Sequence, residues 1–301
     1  MVRSLARHME TRSYRGRFAP SPTGVLHFGS LVAAVGSYLQ ARASNGRWLV
    51  RIEDLDPPRE VPGAAKDQLH TLRHFGLISD EPVIWQSQCK TRHQRALALL
   101  LASGQAFACG CSRADLPASG IYPGTCREGI APGKQPRSVR LKADNRDIHF
   151  EDAVRGSCMQ NPGQQSGDFV IRRADGLIAY QLAVVVDDAA AGITEVVRGA
   201  DLLDSTARQI LVYQALGMPA PSYVHLPLVV DEHGRKLSKS EADDPVRKQR
   251  PQTTLALALR ALGHSPPDTC RSLDSLWHWA HLNWQIEQVP QGPVCIGVHP
   301  S

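Results

Sequence analysis

The chain has 301 residues, room for one large or two modest domains with a substantial core. Hydrophobic residues make up 42% and charged residues 21%, the balance of an ordinary globular protein, and no apolar run approaches the ~18 residues that a membrane-spanning helix needs. The net charge of +5 permits a nucleic-acid or phosphate partner and equally fits a basic surface with none. The N-terminal MVRSLARHMETRSY has arginines but no apolar core, so it does not read as a secretory signal; residues 1–14 are expected to form a flexible extension, and the chain to be cytoplasmic. In that compartment the seven cysteines should be mostly reduced, and a cluster among them suggests metal before disulfide.

Residues 15–19 read as a short buried strand. From about His27 to Ala43, Leu31, Val32, Val35, Leu39 and Ala43 recur at helical spacing, and Asn45-Gly46 ends that helix. WLVRIED (48–54) predicts a second strand with acidic residues at its end. Helices follow from about Ala64 to His74, stopped by Gly76, and through 93–103, stopped by Gly104. Strand, helix, strand, helix is the pattern of a doubly wound parallel sheet. The pattern breaks at 105–138, which is rich in Gly, Pro and Cys and predicts an insertion. VRLK (139–142) and IHFEDAV (148–154) read as strands, and 168–188 as a hairpin around Ala174-Asp175-Gly176 running into a buried segment. TEVVRG (194–199), a helix near 203–216 and a strand at 225–230 lead to the polar, basic loop EHGRKLSKS (232–240). The last fifty residues predict two helices, with Trp277, Trp279 and Trp284 at helix-like spacing as core. No internal repeat or low-complexity tract is present.

RFAPSPTGVLHFGS (17–30) places His27 and Gly29 at the mouth of a helix, directly after a strand. A helix N-terminus offers free backbone N–H groups and partial positive charge, and in an open parallel sheet it faces the nucleotide crevice. Gly24 and Gly29 let the backbone approach a ligand, and His27 can donate to a phosphate oxygen. Taken alone, the stretch is equally a Pro-Gly turn with a capping histidine. GRKLSKS (234–240) sets Lys236 and Lys239 three apart, two ammonium groups suited to a triphosphate whose charge shifts during transfer. Taken alone, that loop also reads as a solvated turn. GIAPGKQ (129–135) is one residue short of a P-loop and has Gln135 in place of Ser/Thr; no GxGxxG follows a strand.

PSPTGVLHFGS resembles the HIGH signature of class I aminoacyl-tRNA synthetases in its glutamyl form, and KLSKS resembles the matching KMSKS signature. The resemblance runs from Arg15 to about Pro245 and includes RIEDLDPPRE (51–60), AYQLAVVVDD (179–188) and VVRGADLL (196–203), in the family's order. The fourth HIGH position holds Ser30 rather than His, a departure common in the glutamyl branch. The resemblance implies an α/β fold with a Rossmann-like doubly wound parallel sheet, a zinc-binding insertion and a short helical C-terminal segment. It implies ATP, arriving with Mg, as substrate: catalytic His27, Lys236 and Lys239, with Gly29 and Ser30 joining them at the nucleotide. It assigns glutamate contacts to Arg17, Phe18, Ala19, Pro20, Ser21, Glu53, Tyr180 and Arg198. Arg17 ends the first strand, where a guanidinium can fork onto a carboxylate. Glu53 can meet an α-ammonium, although Glu53, Asp54 and Asp56 also read as a solvated acidic turn.

Cys109, Cys111 and Cys126 lie within eighteen residues; Cys89, Cys158, Cys270 and Cys295 are scattered. Three close thiols suggest zinc, or three ordinary buried cysteines. The resemblance supplies Tyr122 as a fourth ligand, four residues before Cys126, and implies one structural zinc per chain pinning a segment too poor in apolar residues to fold by itself.

The expected organisation is a nucleotide-binding catalytic domain whose first half is 15–104, an insertion with the zinc site at 105–165, a second half with the KLSKS loop at 166–245, and a short helical segment at 246–301 without an anticodon-binding domain. That shortness and the C-x-C cluster resemble the glutamyl-Q tRNA(Asp) synthetase branch, which implies L-glutamate and tRNA(Asp) bearing queuosine as partners and no membrane. Two other expectations stand beside it: a shortened conventional synthetase charging an acceptor end, and a non-catalytic RNA-binding paralogue.

Overall fold

The computed structural model describes residues 13–231, 233–234, 246 and 250–295. Lys236, Lys239 and most of the expected 1–14 extension lie outside the described residues. In chain order the elements are β1 (Arg15–Phe18), α1 (Phe28–Ala43), β2 (Arg47–Ile52), α2 (Ala64–His74), β3 (Ile84–Trp85), α3 (Lys90–Ala102), β4 (Ala106–Cys109), β5 (Ser138–Leu141), β6 (Ile148–Asp152), β7 (Gly156–Gln160), α4 (Pro162–Gln165) and β8 (Phe169–Arg172). Then come α5 (Tyr180–Ala190), β9 (Glu195–Gly199), α6 (Thr206–Ala215), β10 (Ser222–Leu226), β11 (Val229–Val230), α7 (Pro251–Ala261), α8 (Leu273–Asn283) and β12 (Val294–Cys295).

β1 pairs in parallel with β2, and β2 with β3. β9 and β6 flank β10 in parallel, with β7 antiparallel at the edge. β1 and β9 join these halves, since the Thr194 N–H donates to the Arg15 carbonyl at 2.9 Å. Strand order therefore runs outward from β1 in both directions, and the reversal between β1 and β9 creates the crevice in which doubly wound folds bind ligands. Tyr14 is ordered at this seam: its hydroxyl donates to Glu195 at 2.9 Å.

The largest apolar cluster packs α1 between the sheet and the C-terminal helices α7 and α8. Gly36 permits this approach, because a Cβ there would stand 2.6 Å from a Leu226 methyl. Trp277 and Trp284 are buried in the cluster; their indole N–H groups donate to the Phe75 carbonyl at 2.8 Å and the Gln40 side chain at 3.0 Å. Ser272 opens α8 with its hydroxyl accepting the Ser275 N–H at 3.1 Å. A second cluster lies among α3, α5, α6 and the β5–β8 sheet.

Three sequence expectations change. The buried segment ending at 188 is helix α5, whose residues Gln181 to Asp188 are all buried; a helix enclosed on every side shows no amphipathic period. The 225–230 strand is two strands, β10 and β11, broken at Pro227, which has no N–H to donate. The insertion contains β4, which pairs with β5, and β5 pairs with β8, so this antiparallel sheet crosses residue 165.

Candidate active site

A cavity of about 590 Å³ opens at the carboxyl ends of β1, β9 and β10 and at the N-terminus of α1. Arg17, Phe18, Ala19, Pro20, Ser21, His27, Gly29, Ser30, Glu53, Tyr180 and Arg198 all line it. These positions are far apart in sequence, and the switch point between β1 and β9 brings them together.

The loop 19–27 borders the cavity, and neighbouring residues hold its backbone groups. The Gln68 amide donates to the carbonyls of Ser21 at 3.0 Å and Gly24 at 2.7 Å. Glu53 N–H donates to Pro20 and Val61 N–H to Pro22, at 3.0 and 2.9 Å. The loop ends at His27, the N-cap of α1, whose Nδ1 accepts the Ser30 N–H at 3.3 Å. A neutral His27 therefore carries its proton on Nε2, leaving that nitrogen the donor beside a positive helix end.

Four ionised groups meet beneath the cavity. Arg17 Nε donates to both oxygens of Asp188 at 3.1 and 3.2 Å. Arg51 donates through Nη1 to Asp188 at 2.6 Å and through Nη2 to Glu53 at 3.0 Å. All four are buried. Burial opposes ionisation of Asp188, but the charges of Arg17 and Arg51 outweigh it and hold the carboxyl below its ordinary range. Burial pushes the Glu53 carboxyl up against the same two cations. Among the described residues, Arg17 makes hydrogen bonds only through Nε, so both Nη groups remain for a ligand.

Arg198 faces the cavity from β9. It donates through Nε to His225 at 3.1 Å, Nη1 to Gln209 at 2.7 Å and Nη2 to Thr206 at 2.9 Å. A guanidinium has five N–H groups, so two remain. Tyr180 opens α5 and lines the same wall; burial raises its phenol pKa.

The thiols form a separate centre. Sγ of Cys109, Cys111 and Cys126 all lie within 4.8 Å of one another, with Cys111 and Cys126 at 3.6 Å. The Tyr122 hydroxyl lies 3.4 Å from Cys109 and 3.9 Å from Cys111, and accepts the Cys126 N–H at 2.9 Å. Tetrahedral zinc with Zn–S bonds of about 2.3 Å sets its sulfurs about 3.8 Å apart, so this donor set fits such a metal. Burial would raise the Cys109 thiol, but hydrogen bonds from Tyr122, the Cys111 backbone and Arg140 override it and hold it at about 7. Burial and Cys126 push Cys111 up to about 11. Tyr122 is pinned at Gly167, where a Cβ would stand 2.0 Å from the Tyr122 carbonyl. The cluster could hold a metal ion.

Sequence reasoning missed Asp188, Arg51, Gln68 and the His225–Asp152 pair. Asp188 had a signal: a carboxylate ending the apolar run AYQLAVVVDD must find a cation. Lys236 and Lys239, expected at the nucleotide, fall outside the described residues.

The family model for class I tRNA synthetases (E and Q), catalytic domain, matches residues 13–119 and 125–266. A relative from Chromobacterium violaceum, glutamyl-Q tRNA(Asp) synthetase, is 50% identical over 293 residues, covering 95% of this chain and 98% of its own. One of the same name from Xanthomonas campestris pv. campestris is 56% identical over 259 residues, covering 86% of each chain. The chain belongs to the glutamyl-Q tRNA(Asp) synthetase family of class I synthetases. Among solved structures, a glutamate tRNA ligase from Elizabethkingia meningosepticum, in complex with its amino acid, superposes with a TM-score of 0.79 at 26% identity, over 94% of this chain and 67% of that one. The α/β doubly wound fold expected of a class I synthetase is the one found. No helix among the described residues is long and apolar enough to cross a membrane.

Proposed function

We propose that the chain activates L-glutamate with ATP, without tRNA, and transfers the glutamyl group to the queuosine base at the wobble position of the tRNA(Asp) anticodon. The observation that carries this reading is the cavity itself. A helix N-terminus with His27 and Gly29 forms one side, and Arg17, Glu53, Tyr180 and Arg198 form the other. The glutamate carboxylate attacks the α-phosphorus, pyrophosphate leaves, and glutamyl-AMP remains. Queuosine then attacks the acyl carbon and AMP departs. His27 and the α1 N–H groups bind phosphate oxygens, Gly29 and Ser30 border the adenosine, and Lys236 and Lys239 neutralise charge as it shifts to pyrophosphate. Mg enters on the nucleotide and keeps most of its waters.

Glutamate selection follows from local charge. Among the described residues, Arg17 keeps both Nη groups and Arg198 two N–H groups beyond those given to protein acceptors. The substrate's side-chain carboxylate accepts from them in charge-assisted hydrogen bonds that a neutral glutamine amide cannot match. Glu53 takes the α-ammonium, and the Arg17–Ser21 stretch with Tyr180 borders the amino acid.

Zinc bound by Cys109, Cys111, Tyr122 and Cys126 would supply a structural cross-link. Loops around this centre have an apolar cluster of only four buried residues. The expected division into two catalytic halves, an insertion at 105–165 and a helical 246–301 segment is kept in this reading as a division of the chain, with the β4–β5–β8 sheet spanning its 165 boundary; a cytoplasmic setting is kept with it, supported by seven cysteines outside any disulfide.

Charging with labelled glutamate tests the whole. Label should appear on tRNA(Asp) only when queuosine is present. Label on the acceptor end of unmodified tRNA would overturn the proposal in favour of a shortened conventional enzyme.

A further inference from the structure

The cavity wall behind Arg198 is a chain of polar groups with no contact of its own to the cavity. His225, on β10, is fully buried. Its Nδ1 lies 2.6 Å from Asp152 Oδ2, on β6. Its Nε2 receives the Arg198 Nε–H at 3.1 Å and lies 3.2 Å from the Thr206 hydroxyl, which itself accepts from Arg198 Nη2. A guanidinium has no lone pair to offer, so the Arg198 contact exists only if Nε2 is unprotonated. The imidazole proton then sits on Nδ1 and is directed at the Asp152 carboxylate. Asp152 is itself fixed by the N–H groups of Val154 and Arg155, at 3.0 and 2.9 Å, and by the His225 N–H at 3.3 Å.

Resting on the reading above that Arg198 binds the substrate's carboxylate, we propose that the Asp152–His225 pair is a positioning device for glutamate recognition: it fixes the imidazole with Nε2 as acceptor and so aims the Arg198 guanidinium into the cavity. Three protein acceptors hold three of the five Arg198 N–H groups: His225, Gln209 and Thr206. That consumption orients the guanidinium plane and leaves two N–H groups for one ligand. Without the His225 lone pair, Arg198 gains a freedom that a bidentate contact cannot tolerate. A second proton on the imidazole would place an N–H against an N–H and a cation against a cation. The groups facing the imidazole are Asp152 from β6, Arg198 from β9, Thr206 from α6 and Tyr223, stacked at 6.2 Å, from its own strand; Arg155 adds further positive charge nearby. Asp152 is the single carboxylate among them.

Glutamate-dependent pyrophosphate exchange, with glutamate and ATP varied separately, tests the device. His225→Leu removes the acceptor and should raise the glutamate KM more than tenfold with the ATP KM unchanged. His225→Gln can accept from Arg198 and donate to Asp152 within one amide, and should recover the glutamate KM to within about threefold of the parent. Equal shifts in both KM values, or equal damage from Leu and Gln, would assign His225 a general structural role and overturn the proposal. Arg198→Ala separates the two levels. If it leaves the glutamate KM unchanged, the glutamate-site reading fails; if it raises that KM while His225→Leu does not, only the positioning inference fails. Should His225→Leu not fold, 15N shifts of the parent protein's His225 ring decide the matter: Nδ1 protonated and Nε2 bare supports the device, and Nε2 protonated contradicts it.

Discussion

The crevice and the thiol centre are built in opposite ways. Crevice residues sit at the ends of regular elements, on β1, β9, α1 and α5, backed by the two large apolar clusters. Their buried charges are neutralised by one another through Asp188. The thiol centre hangs on turns between β4 and β5 and on Gly167, over a cluster of four buried residues. Rigidity in the first comes from packing and complementary charge. In the second, the proposed metal would supply it as a cross-link, since so small a core contributes little. The difference predicts that losing a charge partner damages the crevice throughout, whereas losing the metal damages only its own loops.

The largest effect should come from Asp188→Asn, which strands Arg17 in the interior and leaves Arg51 with Glu53 alone. Breaking such a buried pair costs about 3–5 kcal/mol. Chemical denaturation should show that loss, with a raised glutamate KM in whatever protein remains folded; an unchanged unfolding midpoint would break the comparison at its stronger end. Next comes Lys239→Ala, which should slow pyrophosphate exchange by about 10²–10³-fold, the usual cost of one charge-stabilising donor, with the thermal midpoint unmoved. Near-normal exchange would remove Lys239 from the mechanism. Cys111→Ala should abolish bound zinc, measured by elemental analysis, and speed amide exchange within residues 105–130 while glutamate-dependent exchange falls by less than about tenfold. Unchanged metal content would refute the site.

The smallest effect is with pH. Burial depresses the His225 pKa below its ordinary value. The unfolded chain therefore takes up a proton first, and the stability this group contributes is complete above about pH 6.5 and declines as pH falls below it, by at most about 1.4 kcal/mol per unit. Asp152, held below its usual range against burial by the His225 hydrogen bond, adds a further decline as pH falls through the ordinary carboxylate range. Urea midpoints between pH 5 and 8 should show the first decline in the parent and a flatter profile in His225→Gln; parallel profiles would exclude His225 as its source.

Much of this contrast was legible in the sequence. The β1–α1 junction, β2 and the cysteine spacing are local signals, and Arg17, His27, Glu53, Tyr180 and Arg198, all named from the sequence, line one cavity. What escaped was non-local. The role of Asp188 depends on Arg17, 171 positions away, and that of His225 on Asp152, 73 away; no periodicity encodes either pairing. The helix α5 escaped because it is buried all round, and β4 because four residues of AFAC acquire strand character only by pairing with β5.

The central claim is that the crevice between β1 and β9 holds amino acid and nucleotide together. A crystal structure with a non-hydrolysable glutamyl-adenylate analogue tests it most directly. The account predicts the glutamyl carboxylate on Arg17 and Arg198, the ammonium on Glu53, and the adenosine against Gly29 with His27 at the phosphate mimic. An analogue bound away from the α1 N-terminus, or with its glutamyl end clear of both guanidinium groups, would contradict it.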